Sequence, residues 1–569
     1  MMKNLPKVVL ALGLYLLPTT FLILALTFTQ RLEAANFLCP SGNVTCLIAA
    51  INEANGNGQE NIIDVEPGVY TLTGTNNIAD GPNGLPSITS TLTIRNDQLG
   101  ATIERDRNSG SDFRLFHVES QGNLTLYGLG LRYGRGLGGG AIFNKGALTI
   151  DSVAIYENQN LATGINRGGG GILANFPESV SVRIIDSEIK HNNADAEGLS
   201  DDNFGGGIAG GFGSVEILGS SIFDNTARTY GGGLSVSGPT HIQNSSIHDN
   251  RTLTGFDFIP AAGGIHVDNG PLSLVSSTVA RNRVEHPLGF GGGIFSPAQL
   301  RITNSTIAGN QAQDSAGGIA ANSVEIQNSI FAANTARLGN ECFRGPITSL
   351  GHNIFGDISS CNITLGVNDL IGDPGLDAWQ GEYYPLLANS PGVDSAKPNS
   401  CPALDQSSNP RVGTYDRGAI EFQGGLLVSI DIRPNSDANG IDPKSKKDIR
   451  VVLFSINGFD ATTVDPESVR FGATGSEAIP LHVGRRDLDR DSDRDLVFRF
   501  EIRDTEIECG DRVASLTGKT FGGRSIMGSS QIRTTHCGKQ EKPRHDFGSK
   551  QRNAFGRASL IFHRYPVGD

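Results

Sequence analysis

Seven times between Gly138 and Asn334 the chain repeats one pattern: a glycine pair or triplet, an apolar residue, a short alternating stretch, then an asparagine. The apolar residue falls at Ile142, Ile172, Ile208, Leu234, Ile265, Ile294 and Ile319, spaced 25 to 36 residues apart. The asparagine falls at Asn158, Asn192, Asn225, Asn250, Asn282, Asn310 and Asn334. A period of this length restricts the chain to a stacked solenoid, because one copy is too short to bury its own apolar face.

Before each asparagine the copies read (Val/Leu)-x-(Ile/Leu)-x-x-Ser-x-(Ile/Val/Phe)-x-x-Asn, as in Val215-Ile217-Ser220-Ile222-Asn225. Apolar residues two apart lie on one face of a strand. The step of three to the serine breaks that period, so the chain bends and a second strand follows. No stretch in the repeats has helical spacing. Each copy therefore reads as one coil of a parallel β-helix. Stacking turns each position into a column. The isoleucines fill the core, and the small serines (Ser187, Ser220, Ser245, Ser277, Ser305, Ser329, with Val153 in the first copy) face inward at a corner. The asparagines form a ladder, each amide bonding the bend backbone and the next amide. The glycines permit positive φ and close backbone approach at the opposite corner. From asparagine to the next apolar residue takes 9 to 16 residues, so insertions such as 194–204 and 251–262 gather on one side of the solenoid. That side is where repeat proteins usually bind.

Residues 1–35 carry Lys3 and Lys7, then an apolar run, then Leu-Glu-Ala-Ala. They read as a secretory signal cleaved near Ala34 or Ala35, or as an uncleaved anchor, since the run is long enough to span a membrane. Seven cysteines fit export. Proximity pairs Cys39 with Cys46, Cys342 with Cys361 and Cys509 with Cys537, leaving Cys401 single, though spacing leaves other connectivities open. A net charge of −13 argues against nucleic-acid binding. Residues 36–60 contain the best helix candidate, 44–55, which is expected to cap the open end of the solenoid. The β-helix and its closing coils are assigned to 61–424.

The pattern changes from Leu426. Longer strands with turn-rich joins assign 425–540 to a small β-sandwich, and 541–569 to a basic, disordered tail. The sandwich holds the sharpest chemical motif of the chain, Asp487, Asp489, Asp491, Asp493 and Asp495 at every second position. Carboxylates so spaced repel unless a cation bridges them, and the pattern suits Ca²⁺. Position six of the loop is Ser492 rather than glycine and position twelve is Phe498 rather than glutamate, so a bidentate closing ligand must come from elsewhere.

These motifs carry resemblances. Residues 46–72 (CLIAAINEANGNGQENIIDVEPGVYTL) resemble the N-terminal module of CSLREA-type secreted bacterial proteins. Gly139-Gly140-Ala141-Ile142 and Phe331-Ala-Ala-Asn334 are similar to the repeats of chlamydial polymorphic outer-membrane proteins, and the whole core resembles right-handed parallel β-helices of the pectin-lyase-like fold. Residues 373–422 resemble the closing segment of choice-of-anchor β-helix proteins, with Tyr415 where those often have cysteine. The resemblance implies an all-β, right-handed parallel β-helix with a bacterial cell-surface or extracellular location.

That fold hosts polysaccharide lyases and hydrolases, whose sites need converging carboxylates. The outward strand column reads Thr149, Arg183, Glu216, His241, Ser273, Arg301, Glu325, and the column before the serine reads Ser152, Asp186, Gly219, Asn244, Ser276, Asn304, Asn328. Neither concentrates acid. Asp201-Asp202 lies in a variable loop, and Arg281, Arg283 and His286 have no visible acidic partners. The expectation is thus a non-catalytic, adhesin-like protein that binds a polysaccharide or cell-surface partner through its loop face. A diverged lyase or glycoside hydrolase is the alternative.

Overall fold

In the computed structural model the repeats wind into one continuous parallel β-solenoid. The structure describes residues 35–537 except 163–167, 176–180, 196–202, 212, 254–258, 398–399, 412, 423, 435–438, 457–458, 492 and 522–523. Residues 1–34, on which the signal or anchor reading falls, residues 538–569 and the Asp201-Asp202 pair lie outside the described residues. Among the described residues no helix is long and apolar enough to cross a membrane.

One coil shows how the sequence makes the turn. After Gly263-Gly264 come the strands Ile265–Val267 and Leu272–Val275, then Thr278–Ala280, then Arg283–Val284. The first two belong to a 20-stranded sheet, the third to a 12-stranded sheet and the fourth to a four-stranded sheet. Equivalent residues stack in register: Ile217 on Ile242 on Leu274 on Ile302, and Ile222 on Ile247 on Val279 on Ile307. All eight are fully buried, and they line a single core that runs the length of the solenoid.

The asparagines form the expected ladder. Each Nδ2 donates to the next Oδ1 from Asn158 through to Asn334, at 2.9–3.0 Å. Each Oδ1 also accepts the backbone N–H of the preceding rung's asparagine, as from Asn225 to Asn250 at 3.0 Å. The serines do more than fill a corner. Each hydroxyl accepts the N–H of the preceding rung's serine and donates to the carbonyl two residues back, as Ser277 does with Ser245 (3.1 Å) and Val275 (2.7 Å). Both bends thereby satisfy backbone groups that burial would orphan. The glycines have a specific neighbour. A Cβ on Gly206 would lie 2.6 Å from the backbone of Thr226, so the glycine corner packs directly on the strand that follows the asparagine.

The N-terminal cap is the helix Val44–Gly56, its start fixed by the Asn43 side chain accepting from the Cys46 N–H at 3.0 Å. Leu47, Ala50, Ile51 and Ala54 face the core, and the Cys39–Cys46 disulfide ties the helix to the first strand, Ala35–Cys39. Cys342–Cys361 and Cys509–Cys537 are also bonded, and Cys401 is free, as proximity predicted. Three disulfides suit an oxidising compartment.

The closing segment supplies one last short coil, as expected, and then leaves the stack. After the last short strands, Ile363–Thr364 and Leu370–Ile371, it runs back along the outer face of the 12-stranded sheet. Leu386, Leu376, Val393 and Phe422 pack on Ile330, Ala332 and Ile354, while Thr278 and Thr306 hydrogen-bond Gln406 and the Ala419 N–H. The reason is on the sheet: its outward residues there are small or apolar (Ala280, Ala308, Ala332, Ile330) and need covering. Towards the N-terminus the same face carries Lys190, Phe223 and His248.

A second unit begins at Val428. It contains two four-stranded sheets, one including Ile430–Ile432, Asp448–Leu453, His482–Arg486 and Asp495–Glu501, the other Val464–Gly472, Val513–Thr520 and Ser525–Gln531. Val451, Phe471, Phe498, Phe500 and Leu516 form its buried interior.

Candidate functional site

The residue before each ladder asparagine must turn the chain, and it does so with positive φ: Glu157 (55°), His191 (53°), Asp224 (52°), Asp249 (52°), Arg281 (58°) and Ala333 (53°), with Gly309 in the remaining copy. This conformation points each side chain out of the solenoid at one corner. The residue after the asparagine lies on the small sheet beside it, giving a second outward column of Gln159, Asn193, Thr226, Arg251, Arg283 and Gln311 in register. Between them runs an open trough of about 430 Å³, lined by His191, Asp224, Thr226, Asp249, Arg251, Arg281 and Arg283.

The trough brings together charges that looked unpartnered in the sequence. Arg281 Nε lies 2.8 Å and 3.2 Å from the two oxygens of Asp249, one rung away, and His248 Nδ1 lies 2.9 Å from the same carboxylate. Burial acts to raise the Asp249 pKa, but the hydrogen bonds and charges of His248 and Arg281 outweigh it and hold the carboxyl below its ordinary value. His191 Nδ1 faces Asp224 at 3.9 Å. Arg251 Nε donates to the Thr226 hydroxyl at 3.1 Å. Arg283 lines the trough, whereas His286 sits in the next turn, where its Nδ1 accepts the Leu288 N–H.

An aromatic shelf borders this trough. Phe223 and His248 stack at 4.9 Å on neighbouring rungs. Trp379, the single tryptophan of the chain, meets His248 edge-on at 5.1 Å and Tyr384 at 4.9 Å. The Arg281 guanidinium lies 5.6 Å from the Trp379 ring centre. Trp379 and Tyr384 come from a hairpin at the start of the closing segment, where Leu376 pairs with Leu386 and the Gln380 N–H donates to the Tyr383 carbonyl. The Ser246 hydroxyl pins the hairpin tip by donating to the Glu382 carbonyl at 2.6 Å. No spacing rule within the repeats could have placed Trp379 here. The charged column was readable by aligning the residue before each asparagine.

The aspartate motif forms an exposed loop leading into the strand Asp495–Glu501. Carboxylate oxygens of Asp487, Asp489 and Asp495 lie within 4.8 Å of one another, as do those of Asp489, Asp491 and Asp493. Asp495 stands apart because it is fully buried, its oxygens accepting the N–H groups of Ser455 (3.1 Å) and Leu488 (2.8 Å). Asp493 is pushed up to about 6 by desolvation and by the facing carboxylates of Asp491 and Asp489. The donor set is all hard oxygen, which fits Ca²⁺ better than a softer metal. A second acidic group, Asp80, His117 and Glu119, already holds a cation of its own in Lys145, whose Nζ lies 2.8 Å from Asp80 and 3.3 Å from Glu119.

Comparison with family models, curated proteins and solved structures gives no match. The functional reading therefore rests on the trough itself.

Proposed function

We propose that the chain is a non-catalytic, extracellular or cell-surface solenoid that binds a glycan in the trough along its asparagine corner. One observation carries this reading: an aromatic shelf of Trp379, Tyr384 and His248 adjoins a strip of hydrogen-bonding and charged side chains, open to solvent along successive rungs. Sugar rings present apolar C–H faces to aromatics and hydroxyls to polar groups, so such a juxtaposition suits them. The variable connections leave the coil just beyond this corner, which agrees with a recognition surface. The resemblance to pectin-lyase-like, CSLREA-type and choice-of-anchor β-helices supports the same reading. In the second unit, the aspartate loop is proposed as a Ca²⁺ site that steadies the turn before the strand.

The test is a glycan array probed with the full chain and with Trp379→Ala. Binding that falls at least about tenfold in the variant supports the proposal. Equal binding by both proteins removes the shelf from the site. A lyase or hydrolase is the second reading, favoured by Asp224 and Asp249 on neighbouring rungs beside Arg283. Incubation with uronic-acid polysaccharides, with and without Ca²⁺, distinguishes it through ultraviolet-absorbing or reducing products. The depressed Asp249 carboxyl argues against its serving as a general acid.

A further inference from the structure

Resting on the glycan-binding reading, we infer that the trough selects polymers bearing carboxylate or sulfate groups, read by Arg251 and Arg283. The charges in the trough do not cancel evenly. Asp249 is satisfied by Arg281 and His248, and Asp224 faces His191. Among the described residues, Arg251 and Arg283 have no acidic partner. They are register partners on adjacent strands, so their backbones lie one strand spacing apart, about 4.8 Å. Both side chains are exposed. Like charges directly opposite on neighbouring strands are unfavourable, and an anion between them reverses the sign of that interaction.

Two guanidiniums held side by side are matched to planar or tetrahedral oxyanions, which they grip through paired N–H donors. The Thr226 hydroxyl fixes Arg251 from the rung before, which lowers the entropy lost on binding. Along the same column, Asn193, Thr226 and Gln311 flank the arginines with uncharged donors and acceptors. That order, hydroxyl-binding groups around a central cationic pair, fits an acid group on a sugar chain. Nucleic acid offers anions too, but its phosphate backbone calls for an extended basic stripe, whereas here one cationic pair is flanked by uncharged Asn193, Thr226 and Gln311.

The experiment measures binding of the full chain to hyaluronate, dextran sulfate, neutral dextran and oligothymidylate at two salt concentrations. The expected result is binding to hyaluronate or dextran sulfate that weakens with salt and falls about tenfold or more in the R251A/R283A double variant. The ranking of those two polymers tells carboxylate from sulfate. An unchanged melting temperature in the double variant shows that the loss is not unfolding. Neutral dextran bound as tightly by both proteins overturns this inference and leaves the glycan reading standing. Oligothymidylate bound as well as the acidic glycans overturns it in favour of nucleic acid. Failure to bind any of the four, with no hit on the glycan array, sinks both readings.

Discussion

The serine corner and the asparagine corner do the same mechanical job with different residues. Each turns the chain between two strands, carries an inward ladder, and sets one residue of every rung at positive φ. At the serine corner those residues are Ser152, Asp186, Gly219, Asn244, Ser276, Asn304 and Asn328. Five of the seven are Asp, Asn or Gly, the types that tolerate the left-handed conformation, and Ser152 and Ser276 are small. At the asparagine corner they are Glu157, His191, Asp224, Asp249, Arg281 and Ala333, with Gly309. His191, Asp224, Asp249 and Gly309 are again types enriched there, but Glu157, Arg281 and Ala333 are not, and each of those three costs roughly 1–2 kcal/mol in that conformation. The corners differ in what departs from the local rule: two short serines at one, and Glu157, Arg281 and Ala333 at the other. A chain that keeps long charged side chains where the backbone disfavours them points to a use for those side chains.

The comparison can be broken or sharpened by mutation. Asn250→Ala should be the most damaging change, destabilising by about 3–4 kcal/mol, because the buried Asn225 N–H loses its acceptor, the Ile222 carbonyl loses a donor and the amide-to-amide bonds to Asn225 and Asn282 are both cut. Urea denaturation combined with hydrogen exchange on the two flanking rungs measures it. A loss below about 1 kcal/mol would mean the ladder is ornamental.

The ladders also end differently. The serine ladder passes to Asn353, which donates to Asp369 at 2.8 and 3.1 Å. The asparagine ladder ends at Glu341, which accepts from Asn334 and is only 2% exposed. Burial pushes the Glu341 carboxyl up to about 7, above its ordinary 4.5. A raised folded-state value means its stabilisation is complete below pH 4.5 and lost as pH rises through 7. The predicted loss across that window is on the order of 3 kcal/mol. Glu341→Gln should flatten this part of the pH–stability profile and be the more stable protein at pH 8. Parallel profiles for the two proteins would refute the assignment.

Ser277→Ala should cost about 2 kcal/mol, since one N–H and one carbonyl lose a partner but no amide-to-amide bond is cut. The smallest change has the opposite sign. His191→Gly should stabilise the protein by about 0.5–1 kcal/mol by removing the left-handed penalty, while weakening ligand binding in the trough. Thermal melts and binding isotherms on the same preparation test both halves. A neutral or destabilising result would remove the argument from conformational cost.

The solenoid was legible because its constraints repeat: isoleucines every second residue, a serine, an asparagine and a glycine pair recur with the coil. The disulfides followed from proximity, and the cap helix from its apolar face and its position. The candidate site was harder to read for two physical reasons. Its charged partners, such as Asp249 and Arg281, are 32 residues apart and meet only because one rung stacks on the next. Its tryptophan arrives from outside the repeat on a hairpin that covers a sheet face. The serines were read as space-filling, and their second role showed only when the donors of the preceding rung were placed.

The asparagine ladder also has a direction. Every amide gives one hydrogen to the next amide towards the C-terminal end and the other to a carbonyl of the rung before, so the first member, Asn158, accepts from the backbone of Gly134, and the last must find an acceptor in Glu341. Between those terminators every rung hands on what it receives. A coil can therefore be gained or lost by duplication or deletion without disturbing either end, and each added coil lengthens the trough by one more pair of outward side chains. Length, in such a molecule, is a property that heredity can adjust in whole steps.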